Sequence, residues 1–128
     1  MTVELTYLVY VAVFTVLMWV PYILNLIAVR GLSDAVGYPA DPKPIAAWAQ
    51  RLKAAHYNAI ENLVVFATLI LVAHVTGANG AATATCAMVY FWARIVHALA
   101  YTFAISWVRT LAFAVGVGAM LCIAAQLM

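Results

Sequence analysis

Two short stretches carry most of the chemistry in this chain. The first, Arg51 to Asn62, reads R-L-K-A-A-H-Y-N-A-I-E-N. The second sets Tyr90, Arg94, His97 and Tyr101 at i, i+4, i+7 and i+11. At 100° per residue those four fall within a helical stripe of about 60°. Arg51, Asn58, Glu61 and Asn62 share an arc of roughly 100°, which Lys53 and His56 do not. A guanidinium stays charged at every physiological pH, and its planar fork matches carboxylates. Ringed by Asn58, Asn62, His97 and Tyr101, such groups suit an anionic ligand with several acceptors. The simpler expectation is a Glu61–Arg94 ion pair that only braces the protein. The polar groups present exceed what Glu61 alone can use.

The elements that position these residues are set by composition. Of 128 residues, 69% are hydrophobic and 8% charged; the mean hydropathy is +1.06. This excludes an ordinary soluble domain and points to a polytopic helical membrane protein of one domain. The alternation of ten-residue strands that marks a membrane β-barrel is missing. A net charge of +2 is too small to argue for nucleic acid. The start, Met1-Thr2-Val3-Glu4, lacks the basic region of a cleaved signal peptide, so the first apolar segment is expected to be retained.

Four spanning segments are expected at about 5–29, 54–76, 81–103 and 108–128, with a loop at about 30–53. Pro21 should kink the first segment and free a backbone carbonyl. The apolar run Leu63 to Val75 covers only about 20 Å of a roughly 30 Å hydrocarbon layer. The second segment must therefore draw Tyr57, Asn58, Glu61 and Asn62 into or against the bilayer. A carboxylate there costs about 2.5–3.5 kcal/mol by insertion scales, which needs a compensating partner. Arg30, Lys43, Arg51, Lys53 and Arg109 all flank one side, and the turn Gly77-Ala78-Asn79-Gly80 carries no charge. The positive-inside rule puts the long loop in the cytoplasm and both termini outside.

The tight turn at Asn79 allows depths to be matched. Glu61 lies eighteen residues before it and His97 eighteen after; Asn58 lies twenty-one before and Tyr101 twenty-two after. The two polar stripes therefore share one layer near the loop side and should face each other or an interface. Trp19, Tyr22, Tyr38, Trp48 and Trp107 read as interface anchors, and Cys86 and Cys122 as small buried hydrophobes. Gly116 and Gly118 read as close-packing positions. His74 falls near the outer end. No metal-ligand spacing is present.

With those residues identified, the chain resembles the MAPEG family, membrane-associated proteins in eicosanoid and glutathione metabolism. Arg51 to Asn62 is similar to the family's R-x-x-R-A-H-x-N-x-x-E-N pattern. A-R-I-V-H-A-L-A-Y (Ala93 to Tyr101) and R-T-L-A-F-A-V-G (Arg109 to Gly116) resemble the microsomal glutathione transferase branch, which His97 also favours. The resemblance spans nearly the whole chain. It implies an all-α, left-handed up-down-up-down four-helix bundle, assembled as a homotrimer in the membrane, here a bacterial inner membrane. It implies glutathione as co-substrate between neighbouring subunits, and a small lipophilic electrophile arriving from the lipid bilayer. By match, Arg51, His56, Asn58, Glu61, Asn62, Arg94, His97 and Tyr101 would line or brace the site, with Arg30 a looser match. Arg109 matches the catalytic arginine that holds the glutathione sulfur as a thiolate. No metal is implied.

The chain departs from the pattern at Ala54, where the second arginine of the motif stands. The adjacent Lys53 is 100° away around the helix and lacks the bidentate fork. The implied activity is a glutathione-dependent transferase or peroxidase. A non-catalytic MAPEG-like protein that binds lipid or a partner is the alternative. A small multidrug transporter, also a four-helix chain, would want an acid midway along the first segment, where none stands beyond Glu4.

Overall fold

A computed structural model describes residues 1–128 and is all helical. Helix α1 covers Val3–Leu17, α2 Trp19–Arg30, α3 Leu32–Val36, α4 Ala47–Thr76, α5 Ala81–Thr102 and α6 Ser106–Leu127. Taken as one element, α1 and α2 form a 28-residue span, and with α4, α5 and α6 they give four helices long and apolar enough to cross a membrane. The expected four-helix membrane bundle is the observed fold.

The break between α1 and α2 falls at Met18, three residues before Pro21. Proline lacks the N–H that would reach the carbonyl of residue 17, and its ring crowds that carbonyl. The Met18 N–H instead tightens onto the Thr15 carbonyl at 3.3 Å.

The second span starts earlier than hydropathy suggests. α4 begins at Ala47 rather than near residue 54, and the preceding loop contains α3. Residues 47–53, A-W-A-Q-R-L-K, are mostly strong helix formers, too polar as a group to register as membrane-spanning. Asn25 of α2 accepts the Ala46 N–H at 2.9 Å and so fixes where α4 starts. Its 30 residues extend about 45 Å, so its first turns project beyond a hydrocarbon layer of about 30 Å.

Two apolar clusters fill the bundle. Val11, Phe66, Ile70, Tyr90 and Ile123 belong to the one nearer the Gly77–Gly80 turn. Met18, Tyr22, Leu52, Ala59 and Ala98 belong to the one nearer the long loop. Alanines such as Ala49, Ala55, Ala73 and Ala87 are fully covered; small residues let spanning helices approach closely where lipid supplies no hydrophobic drive. α5 and α6 make the most extensive contact. Gly116 contributes to it, since a Cβ there would stand 3.8 Å from the Arg94 side chain and 3.9 Å from the Tyr90 ring. Gly118 has no atom within 4 Å of its Cβ position and so takes no part in the packing inside the subunit.

The end of the bundle near the Gly77–Gly80 turn is firmly tied. Cys86 of α5 and Cys122 of α6 form a disulfide, with Cα atoms 6.6 Å apart. This corrects the expectation that they serve only as small buried hydrophobes. Thirty-six residues separate them in sequence, and only the antiparallel packing of α5 on α6 brings them to one depth. On the other flank the Thr83 hydroxyl donates to the buried carboxylate of Glu4, joining α1 to α5.

Candidate functional site

Between the two apolar clusters lies a polar layer built by α4, α5 and α6. α5 turns Tyr90, Arg94 and His97 inward, with Arg94 3% and His97 2% exposed, and Tyr101 half-buried at the end of the same stripe. The expected single face is therefore the inward face. From α4, Asn58 meets it: Arg94 Nη2 donates to Asn58 Oδ1 at 2.6 Å.

The anticipated Glu61–Arg94 ion pair does not form. Glu61 is exposed on the outside of α4, while Asn58, three residues earlier, takes the guanidinium. Residues three apart lie about 60° apart around a helix, and that rotation turns Asn58 toward α5 and leaves Glu61 outside. Asn62 turns back on its own helix, donating to the Asn58 carbonyl at 2.9 Å and approaching Asn58 Oδ1 at 3.4 Å. It steadies Asn58 and does not meet α5.

Arg109, three residues into α6, holds its guanidinium carbon 4.9 Å from the centre of the Tyr101 ring. This cation–π contact orients the arginine without using a hydrogen-bond donor. Arg109, Tyr101, His97 and Asn58 line one pocket of about 200 Å³, together with Thr110 and Phe113. No carboxylate lines it. The last two were not singled out in the sequence; Phe113 stands at i+4 from Arg109, and that spacing alone places them on one face. Arg94 sits behind the pocket, coupled through Asn58.

The remaining expected site residues lie elsewhere in the subunit. Arg51 Nε donates to the Thr102 carbonyl at 2.8 Å, so it closes the C-terminal end of α5, where helix carbonyls lack partners. His56 Nδ1 pairs with the Tyr22 hydroxyl at 2.7 Å on the opposite flank of α4. Tyr22 is thus a buried partner and not an interface anchor, because the α1–α2 break swings its ring against α4. Arg30 Nε donates to the Lys43 carbonyl at 2.7 Å and holds the loop.

Three polar atoms of the α5 stripe, Tyr90 Oη, Arg94 Nε and His97 Nδ1, are buried with no protein partner. The surplus of hydrogen-bonding groups read from the sequence is therefore real at the level of atoms. An unpaired buried donor or acceptor costs about 1–3 kcal/mol, so these atoms leave hydrogen-bonding capacity that the subunit's own groups do not use. No group of three or more His, Cys, Asp or Glu gathers at one point. Two larger grooves on the subunit surface are apolar, one between α5 and α6 lined by Trp92, Val96 and Val108 and one lined by Phe14, Trp48 and Leu99.

The MAPEG family model matches residues 7–128. The chain belongs to the MAPEG family. With its four apolar spans, this MAPEG protein is an integral membrane protein, and the polar layer lies in the part of the chain that the match covers. The MAPEG family includes glutathione transferases and peroxidases along with other membrane proteins. No curated protein matches the chain.

Proposed function

We propose that this MAPEG protein is a membrane-bound glutathione-dependent transferase or peroxidase, and that Arg109 holds the glutathione sulfur as a thiolate. One observation carries the reading: a guanidinium lines a pocket with Asn58, His97 and Tyr101 and has no carboxylate beside it. A second guanidinium, Arg94, stands behind with only a neutral amide as partner.

The energetics agree. A free thiol with a pKa of about 8.5 is only a few per cent thiolate at neutral pH. Lowering that pKa by about two units takes roughly 2.7 kcal/mol of preferential thiolate binding. An arginine in a partly dehydrated pocket interacts with an anion on that scale and stays charged throughout. The thiolate then attacks an electrophilic carbon, forming a carbon–sulfur bond as a leaving group departs or as an epoxide or activated double bond opens and takes a proton. With a peroxide it attacks the terminal oxygen and cleaves the O–O bond, releasing an alcohol after protonation and leaving a glutathione sulfenic acid, which a second glutathione converts to glutathione disulfide and water.

A pocket of about 200 Å³ falls below the roughly 300–1,000 Å³ of ordinary small-molecule sites. The exposed Glu61 would lie within the hydrocarbon layer unless covered, at a cost of about 2.5–3.5 kcal/mol. Both features favour a homotrimer in which a neighbour completes the pocket. Glu61 then pairs with the tripeptide's amino group, and Arg30 and His56 approach from the adjoining subunit. In this reading the long loop is cytoplasmic, the termini lie outside, and the membrane is a bacterial inner membrane. The apolar grooves on the outer helix faces would admit a lipophilic electrophile from the bilayer.

A non-catalytic, lipid- or partner-binding role is favoured by one feature only: position 54 is alanine, which thins the set of tripeptide contacts. Titrating the detergent-solubilised protein with millimolar glutathione separates the two. Catalysis requires binding and a thiolate absorbance in the ultraviolet; absence of both leaves the non-catalytic role.

A further inference from the structure

We infer that Cys86 and Cys122 are a modification site served from the outer face of the membrane. Their bond is made there by exchange with the disulfide of a thiol oxidoreductase in an oxidising compartment. The outer origin of the bond rests on the orientation proposed above. Neither cysteine lines the pocket of Asn58 and Arg109.

Depth sets the side. Cys86 stands five residues into α5, which starts at Ala81, and Cys122 five residues before α6 ends at Leu127. At 1.5 Å per residue both lie about 7.5 Å below the end of the bundle that carries the Gly77–Gly80 turn. In the other direction sixteen residues lead from Cys86 to Thr102, the end of α5, about 24 Å of helix. Both side chains are half-buried and so are not sealed in the core.

Charge and sulfur agree on what lies outside. Arg30, Lys43, Arg51, Lys53 and Arg109 flank the long-loop end, which the positive-inside rule keeps in the cytoplasm. Disulfides persist in oxidising compartments and are rare where cytosolic thiols are kept reduced. The two rules use different residues, and a sulfur pair at the Arg109 end would have set them against each other. The separation also protects the bond. A glutathione thiolate held at Arg109 would attack a disulfide within its reach. Thirteen residues of α6 stand between Arg109 and Cys122, about 20 Å.

In the reaction, the thiolate of one cysteine attacks the donor's disulfide, forming a mixed disulfide and releasing the donor's other sulfur. The second cysteine then attacks its partner's sulfur in that mixed disulfide, closing the Cys86–Cys122 bond. Two electrons and two protons pass to the donor, which leaves as a dithiol. Only α6 packed antiparallel on α5 brings the two Cα atoms to 6.6 Å, so closure follows insertion of the fourth span.

The test has two arms in bacteria grown without cystine. In normal cells, an alkaline phosphatase fused after Met128 reports by its activity whether that end lies outside. Separately, the unfused chain is acid-quenched and its free thiols are counted with a polymer-tagged maleimide on a gel. The expected result is an active reporter, no maleimide uptake before reduction, and two maleimides per chain after reduction in detergent. Cells lacking the outer thiol oxidase should show several-fold more labelled chain before reduction. Two maleimides without reduction beside an active reporter would overturn the modification and leave the orientation standing. An inactive reporter would overturn the orientation, and with it the outer origin of the bond. Equal oxidation with and without the oxidase would overturn exchange as the route.

Discussion

The guanidinium of Arg94 on α5 donates from Nη2 to the side-chain oxygen of Asn58 on α4 at 2.6 Å. A buried cation in a membrane bundle is thereby stabilised by a neutral amide and not by an acid. The positive charge is not cancelled within the subunit, and its field extends toward the pocket that Asn58 shares with Arg109. An aspartate at position 58 would have neutralised it. The amide positions the arginine and keeps the layer attractive to an anion.

Removing that amide should be costly. Asn58→Ala leaves Arg94 buried without its partner, and a hydrogen bond to a charged group is worth about 1.5–3 kcal/mol. Thermal unfolding in detergent should fall by several degrees. The double variant Asn58→Leu/Arg94→Met, apolar on both sides, should recover part of that loss; a double variant worse than the sum would count against the pairing.

Arg109→Ala should abolish the thiolate absorbance of bound glutathione while leaving the protein folded, since Arg109 is only half-buried. Arg109→Lys keeps a charge and should retain a fraction of the signal, because an ammonium lacks the planar fork. Full absorbance in Arg109→Ala would remove the arginine from the chemistry.

Ala54→Arg restores the arginine that the family pattern carries. Under the glutathione reading it should tighten binding tenfold or more, as measured by titration. Unchanged affinity would mean that position 54 does not meet the tripeptide in this protein.

Tyr22→Phe deletes the hydroxyl that pairs with His56 across the α1–α2 break. A loss of about 1 kcal/mol is expected from the unmet ring nitrogen. The activity should change little if the two residues only brace the bundle. A large loss of glutathione affinity would instead bring His56 into the site, as a neighbour's contribution.

Ala104 in the α5–α6 turn has φ 59°, a left-handed conformation that costs a residue with a Cβ about 1–2 kcal/mol. Ala104→Gly should therefore raise the melting temperature by a few degrees. No gain would show that the flexibility added to the unfolded chain offsets the relieved strain.

The bundle and its polar layer were legible because both follow from counting. Hydropathy fixes four spans, and the tight turn at Asn79 fixes which residues share a depth. The inward stripe of Tyr90, Arg94 and His97 followed from spacing alone. Partner choice did not, because Asn58 and Glu61 lie only about 60° apart on α4 and spacing alone does not set the rotation that turns one to Arg94 and the other outward. The start of α4 was hidden because its first turns are helical by propensity and not by hydropathy. The Cys86–Cys122 disulfide was hidden because thirty-six residues separate the two, and the identity of the residues alone does not set their register. The Arg51–Thr102 bond was hidden as well, because only the packing of α4 on α5 brings Arg51 Nε to the Thr102 carbonyl.

The disulfide and the Glu4–Thr83 bond tie α1, α5 and α6 at one end. At the other end the turn of residues 103–105 joins α5 to α6, Arg109 lies over the Tyr101 ring, and Arg51 ties α4 to the Thr102 carbonyl. α5 and α6 thus form a closed loop, fastened by chain at the pocket end and by sulfur at the far end. Amide exchange should be slow around Cys86 and Cys122 while the disulfide is intact. Reducing it should speed exchange there and leave the pocket end, which the chain itself closes, nearly unchanged.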